Sequence, residues 1–393
     1  MCNGYAQTKN RIAKSTQLKI LFFHNTLPEY RIGWFESLAK MADIEFVFTN
    51  VKQNERDYGF KIEYERASNL KCTFLSDGKE GVCELQRLVK DIEKYDFIEL
   101  PPIDSIREVI YSAYIVYKCK QKKIRTGYFW EKWDAPRKVQ PLGRRIKNLM
   151  LRIIPRMIYR QVDVIFSTGK KNRDYFVSNG VNESKIVWIP DVSETPKCEY
   201  VDLREMYRIP IESKVFLYLG RVMPQKGVRK LIEAYALLDS AIKKTSYLII
   251  AGDGEDLENC KSLAKKLKIE NISFVGRVNP ANRGNYFAQC DVFIYPVTYY
   301  KGRIDVWGLT INEAIQHGKI VIATDAVGSA YELIENGING FRVKPDDIEQ
   351  LKNAMTMALN SKMARVAKEK DKNIRESFNF KNMAEVFING IKK

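Results

Sequence analysis

Two acids eight positions apart, Asp305 and Glu313, bracket a glycine at position 308. The stretch after Gly308 has the apolar spacing of a helix that ends at Gly318, a common C-terminal glycine. The apolar run Ile320 to Ala323 then reads as a buried parallel strand. Asp305 falls just before the helix and Glu313 about one and a half turns into it, so one ligand at the helix N-terminus can touch both. The N–H groups of Gly308, Leu309 and Thr310 lack partners within such a helix and face an anion there. Carboxylates accept hydrogen bonds from hydroxyls, while N–H groups and cations take phosphate. The pattern therefore calls for a ligand carrying both.

A second cluster supplies the cations. Gly220-Arg221-Val222-Met223-Pro224-Gln225-Lys226-Gly227 lies between an apolar strand and a helix. Two cations five positions apart at a strand's carboxyl end can clamp two phosphates. At these two places the chain resembles a family. The spacing Asp305-x7-Glu313, with Gly308 between, resembles the E-x7-E motif of retaining GT-B glycosyltransferases of family 4. That family usually has Glu at the first position, and this chain has Asp, one methylene shorter. Gly220-Arg221 and Lys226-Gly227 resemble its G-R-x4-K-G motif. Gly276-Arg277-Val278 resembles the segment that packs on the nucleotide base.

The resemblance covers most of residues 18 to 391. It implies an α/β chain of GT-B architecture, two Rossmann-like domains facing each other across a cleft. It implies a nucleoside diphosphate sugar as donor, with Arg221 and Lys226 on the diphosphate, Asp305 on sugar hydroxyls and Glu313 on the ribose. Gly220, Arg277, Val278, Gly308, Leu309 and Thr310 would complete the donor site. Retention of anomeric configuration is implied as well. No Asp-x-Asp stands at a strand end, so neither a metal nor another cofactor is expected.

The acceptor side is expected in the first half. The first strand opens into His24-Asn25-Thr26-Leu27-Pro28-Glu29-Tyr30-Arg31. In a doubly wound sheet, loops at strand carboxyl ends face the ligand crevice. This loop resembles the family's Pro-x-Tyr-Arg loop, which makes His24 and Arg31 candidates. Gly127-Tyr-Phe-Trp-Glu-Lys-Trp-Asp134 crowds aromatics and acids after another strand, and Glu131 and Asp134 are the candidates there.

Several elements must position these groups. Apolar runs at Leu18 to Phe23, Ile44 to Thr49, Lys71 to Leu75, Phe97 to Leu100, Arg125 to Trp130 and Val162 to Phe166 alternate with helical stretches such as 32 to 42, 83 to 93 and 105 to 120. That order argues for a parallel sheet covered on both faces. A polar stretch from Asp191 to Glu199 reads as a linker, and a second series begins at Val215. The expected domains are 18–193 and 194–377. A loose N-terminus, 1–17, precedes them, and a closing helix, 378–393, crosses back to the first domain.

Composition narrows the partners. The 393-residue chain carries a net charge of +17, which calls for anionic partners. Eight Lys or Arg and no acid lie between Arg137 and Arg160, interleaved with aliphatics. Such a segment suits an anionic membrane surface, at ~1 kcal/mol per basic side chain near the lipid. Arg144, Arg145, Arg152 and Arg156 are its named contacts, and Pro155 is expected to kink or break its helix. Seven scattered cysteines without a CxxC argue for reduced thiols. The expectation is a cytoplasmic protein at the inner face of a membrane, acting on a lipid-linked or polysaccharide acceptor. Acids in the cleft oppose a nucleic-acid partner. A nicotinamide oxidoreductase would need a complete Gly-x-Gly-x-x-Gly after its first strand, which is absent. A catalytically inactive GT-B partner subunit is the alternative.

Overall fold

The computed structural model describes residues 17–50, 67–143, 145, 152–195 and 197–393. Residues 1–16 and Arg144 lie outside this set. The first seven strands are β1 (Lys19–His24), β2 (Asp43–Phe48), β3 (Lys71–Phe74), β4 (Phe97–Glu99), β5 (Arg125–Phe129), β6 (Val164–Ser167) and β7 (Ile186–Trp188). They form a parallel sheet in the order β3-β2-β1-β4-β5-β6-β7. The next six are β8 (Lys214–Leu219), β9 (Ser246–Ala251), β10 (Ile272–Gly276), β11 (Val292–Tyr295), β12 (Ile320–Thr324) and β13 (Gly340–Val343). Their order is β10-β9-β8-β11-β12-β13. Strand order reverses beside β1 in one sheet and beside β8 in the other. Those two switch points open crevices at the strands' carboxyl ends, where ligands of such sheets bind.

Helices of seven residues or more are numbered in chain order. They are α1 (Glu29–Ala39), α2 (Gly78–Lys90), α3 (Ile106–Lys122), α4 (Ile153–Gln161), α5 (Lys170–Ser178), α6 (Val228–Ala236), α7 (Leu257–Lys266), α8 (Arg283–Gln289), α9 (Leu309–Gln316), α10 (Ile348–Ala358), α11 (Ser361–Ser377) and α12 (Phe380–Lys392). The last, α12, packs on the first sheet. Its Phe387 ring meets Phe22, Trp34, Phe97 and Phe166 at centroid distances of 5.4, 5.9, 6.2 and 4.5 Å. The C-terminus thus completes the N-terminal core.

Two local expectations need correcting. Helix α1 begins at Glu29, after an extended Pro28, not at residue 32. Arg31 therefore stands in a first helical turn rather than in a loop. Pro155 neither kinks nor breaks α4, because it occupies the third position of that helix. A first-turn residue has no intrahelical acceptor to lose.

One buried acid tunes this sheet to pH. Glu99 on β4 lies between Phe22 on β1 and Gly127 on β5. A Cβ at Gly127 would fall 2.4 Å from Glu99 Oε2, so the glycine makes the room. The Phe129 N–H donates to Oε1, while Oε2 has no partner. Burial pushes this carboxyl well above the usual range. The folded state then holds a proton that the unfolded chain has released, so stability falls as pH rises above the unfolded value, about 4.3. Glu99→Gln removes that slope. Urea unfolding at pH 5 and pH 8 should show the variant gaining on wild type at the higher pH. An equal difference at both values would place an ionised Glu99 in the fold.

Candidate active site

The second sheet's crevice brings some of the donor-side candidates together. Two glycines shape the turns there. Gly227 has φ +71°, and a Cβ there would lie 1.9 Å from the Pro296 carbonyl oxygen. Gly308 caps α9 with φ +88°, and a Cβ there would lie 2.7 Å from Val327 Cγ1. Each turn can approach β11 only without a side chain. The result sets Lys226 against the acid. Lys226 Nζ is 2.5 Å from Asp305 Oδ2 and 2.6 Å from the Tyr295 hydroxyl, which donates to the same Oδ2 at 2.6 Å. Burial works against ionisation of Asp305, but Lys226 and Tyr295 hold its carboxyl below the usual range. The Asp305 backbone is pinned as well, through its N–H to Ala326 O at 2.9 Å and its carbonyl from Gly328 N at 3.1 Å.

Glu313 lies on the buried side of α9. Its Oε1 accepts from Ser193 Oγ at 2.6 Å and pairs with Arg283 at 3.1 Å. Oε2 is buried and has no partner. Burial raises this carboxyl, against the pull of Arg283. Arg221 is exposed at the end of β8, and its charge reaches Tyr295. Gly220 directly follows the last residue of that strand. Arg277 is exposed after β10, while Val278 is half-buried against the core. Leu309 and Thr310 form the first turn of α9.

The acceptor-side candidates separate into two groups. Glu131 and Asp134 line a cavity of about 410 Å³ together with Trp130, Trp133, Gln225 and Ile304. Glu131 is close enough to Asp305 for the two carboxylates to repel. His24 and Arg31 are buried and do not line that cavity. The His24 ring packs on Phe35 and Trp130 at 5.6 and 5.5 Å, with Nδ1 2.8 Å from the Thr26 carbonyl. Burial and the nearby Arg31 lower its pKa to about 3, so the ring is neutral.

Arg31 forks between Asp191 and Glu131, pairing with one carboxylate through each terminal nitrogen. Burial alone would lower its pKa, yet the two acids hold it above the ordinary arginine value. Burial and the Asp191 charge push the Glu131 carboxyl up. Asp191 also ties the linker to the second sheet, for its carbonyl accepts from Asn312 Nδ2 at 2.7 Å and Trp307 Nε1 at 3.2 Å. The Trp133 indole N–H donates to the Val306 carbonyl at 2.9 Å, closing the cleft from the other side. Sequence reading missed Asp191, Tyr295 and Arg283, because nothing local marks a polar group whose partner lies far along the chain.

The basic segment also differs from its expectation. Arg152 pairs with Asp134 and lies 5.8 Å over the Tyr175 ring, so it belongs to the cleft wall. Arg145 and Arg156 are exposed. Each donates Nε at 3.0 Å, to the Gln140 and Asn179 carbonyls respectively. Ile153, Ile154 and Met157 are exposed on α4. No described helix is long and apolar enough to cross a membrane.

Comparison with known proteins agrees with this geometry. Residues 202–377 match the family described as glycosyl transferases group 1. An uncharacterized glycosyltransferase of Methanocaldococcus jannaschii is 28% identical over 239 residues, 60% of this chain and 59% of that protein. The α-monoglucosyldiacylglycerol synthase of Streptococcus pneumoniae is 28% identical over 190 residues, 46% of this chain and 42% of its own length. The matches thus span about three-fifths or less of these relatives. The crystal structure of Anabaena HepE with UDP superposes with a TM-score of 0.74 at 16% identity, covering 95% of this chain and all of that one. This chain therefore has the GT-B fold, and its residues 202–377 resemble the glycosyl transferases group 1.

Proposed function

We propose that this protein is a retaining glycosyltransferase that moves a sugar from a nucleoside diphosphate sugar to a lipid-linked or polysaccharide acceptor. The observation that carries the reading is the convergence of Lys226, Asp305 and the α9 N-terminus at one switch point, with Glu131 facing them across the cleft. UDP in the HepE structure supports the donor class. The pneumococcal relative, named for making a glucosylated diacylglycerol, supports a lipid acceptor.

In this mechanism Arg221, Lys226 and the N–H groups of Gly308, Leu309 and Thr310 stabilise the charge that grows on the leaving diphosphate. Asp305 accepts from sugar hydroxyls. The unpartnered Glu313 Oε2 accepts from the ribose. The acceptor attacks from the leaving group's own face, and the departing phosphate takes its proton. Glu131, whose carboxyl is pushed up towards neutrality, orients the acceptor hydroxyl. Cations do the work a bridging metal would do.

A thermal-shift screen of nucleotide sugars, followed by transfer assays, tests the reading, since a bound donor raises stability by mass action. Activity should persist in excess EDTA. Loss of activity restored by Mg²⁺ would assign the charge stabilisation to a metal. Absence of transfer with every donor would favour the partner-subunit reading.

The acceptor reading extends to an anionic membrane surface at the inner face. Wild type should co-sediment with anionic vesicles at low salt and release as salt shortens the Debye length to ~8 Å at physiological ionic strength. Arg145→Gln/Arg156→Gln should weaken this binding, and Arg152 is left intact because of its Asp134 pair. Equal binding of variant and wild type would return these arginines to the solvent.

A further inference from the structure

Tyr295 ends β11 on the floor of the donor crevice, and none of the motifs above includes it. Its ring is buried, stacked on Tyr218 at 6.4 Å and 15° between planes. The backbone turns on either side press on it. A Cβ at Gly308 would lie 3.1 Å from Tyr295 Cε1, and one at Gly220 would lie 3.8 Å from Cε2. Its hydroxyl thus stands at a fixed point and spans the acid and the ammonium, 2.6 Å from each. Burial, with the Asp305 charge beside it, holds the phenol well above its ordinary value. The hydroxyl therefore keeps its proton and donates a hydrogen bond to the carboxylate.

Resting on the transferase reading, we infer that Tyr295 is the positioning residue that lets an aspartate serve at position 305. In the ligand-free chain Lys226 and Asp305 neutralise each other. When a diphosphate takes the Lys226 ammonium, Asp305 loses its cation and would be free to rotate. The Tyr295 hydroxyl then remains as the side-chain donor that holds the carboxylate towards the sugar. The usual glutamate reaches one methylene farther, and here it would drive its carboxylate into the Tyr295 hydroxyl. The short acid and the phenol are a matched pair.

The test is a double-mutant cycle on the full chain, using the nucleotide sugar that gives turnover in the donor screen. Tyr295→Phe should lower kcat about 10-fold while KM for the donor stays within about 3-fold, as for an oriented hydrogen bond to a charged group. Asp305→Glu alone should lose about 100-fold, and Asp305→Glu/Tyr295→Phe should regain at least about 10-fold over it, because coupled residues are non-additive. Losses that multiply, or a Tyr295→Phe effect confined to KM, would overturn the inference. A wild type without turnover would strike the transferase reading instead. The pairing is then decided without substrate, by unfolding Tyr295→Phe, Asp305→Asn and their double variant in urea. Non-additive losses support the pair and additive ones overturn it.

Discussion

Lys226→Ala and Arg221→Ala should each lower turnover about 100-fold or more, the scale of removing one electrostatic donor from a developing oxyanion. The two losses have different origins. Lys226 has only 12% of its side chain exposed and is bound to Asp305 and Tyr295. Its removal takes a cation from the diphosphate and also leaves the Asp305 carboxylate with the phenol as its side-chain donor. Arg221 is exposed and is not among the groups that hold Asp305, so its removal should take charge from the diphosphate while Lys226 and Tyr295 still hold the Asp305 carboxylate. Lys226→Ala should therefore also raise the pKa of Asp305, which would move the acid limb in the pH profile of residual activity to higher pH. Arg221→Ala should leave that limb in place. Steady-state kinetics with circular dichroism as a folding control checks both. Wild-type rates in the two variants would remove the diphosphate clamp.

Arg31→Met should destabilise the protein by about 3–5 kcal/mol, the range for leaving buried charge without its partner. Only 3% of the Arg31 side chain is exposed, and it is shared between Asp191, fully buried, and Glu131, at 18%. Without the guanidinium the two acids face each other, Asp191 out of reach of water and Glu131 only partly reached by it. Arg31→Lys should recover part of the loss, since one ammonium supplies charge but cannot fork to both carboxylates. Arg31→Met combined with Asp191→Asn and Glu131→Gln should recover more, because no charge then remains to be matched. Urea unfolding of the set measures this. A loss under about 1 kcal/mol for Arg31→Met would show that water reaches the acids. The linker carbonyl of Asp191 binds Asn312 and Trp307, so the same variant should loosen the closure between the two sheets.

Much of this architecture is written locally. Apolar runs such as Phe216 to Leu219 and Ile320 to Ala323 are buried on both faces, and continuous apolar runs of that length mark parallel strands without help from distant residues. Gly227 and Gly308 mark the turns, because both hold a positive φ that other residues rarely adopt. The motifs Gly220 to Gly227 and Asp305 to Glu313 stand out for the same reason, each lying beside the end of one strand, and the structure sets Lys226 against Asp305 while Glu313 takes Arg283 and Ser193. The start of α1 was less legible, since Pro28 and Glu29 are equally at home in a loop.

What the tertiary structure decided is where each charge finds its partner. Arg31 looked like an acceptor contact, yet it is committed to Asp191, 160 positions away. Arg152 looked like a membrane contact, yet Asp134 holds it in the cleft wall. Tyr295 looked like one more buried strand residue, yet its hydroxyl lies between Lys226 and Asp305. A side chain's type sets which partners it can accept. Burial removes water as one of them, and only the packing of strands and helices far apart in sequence determines which protein group takes water's place.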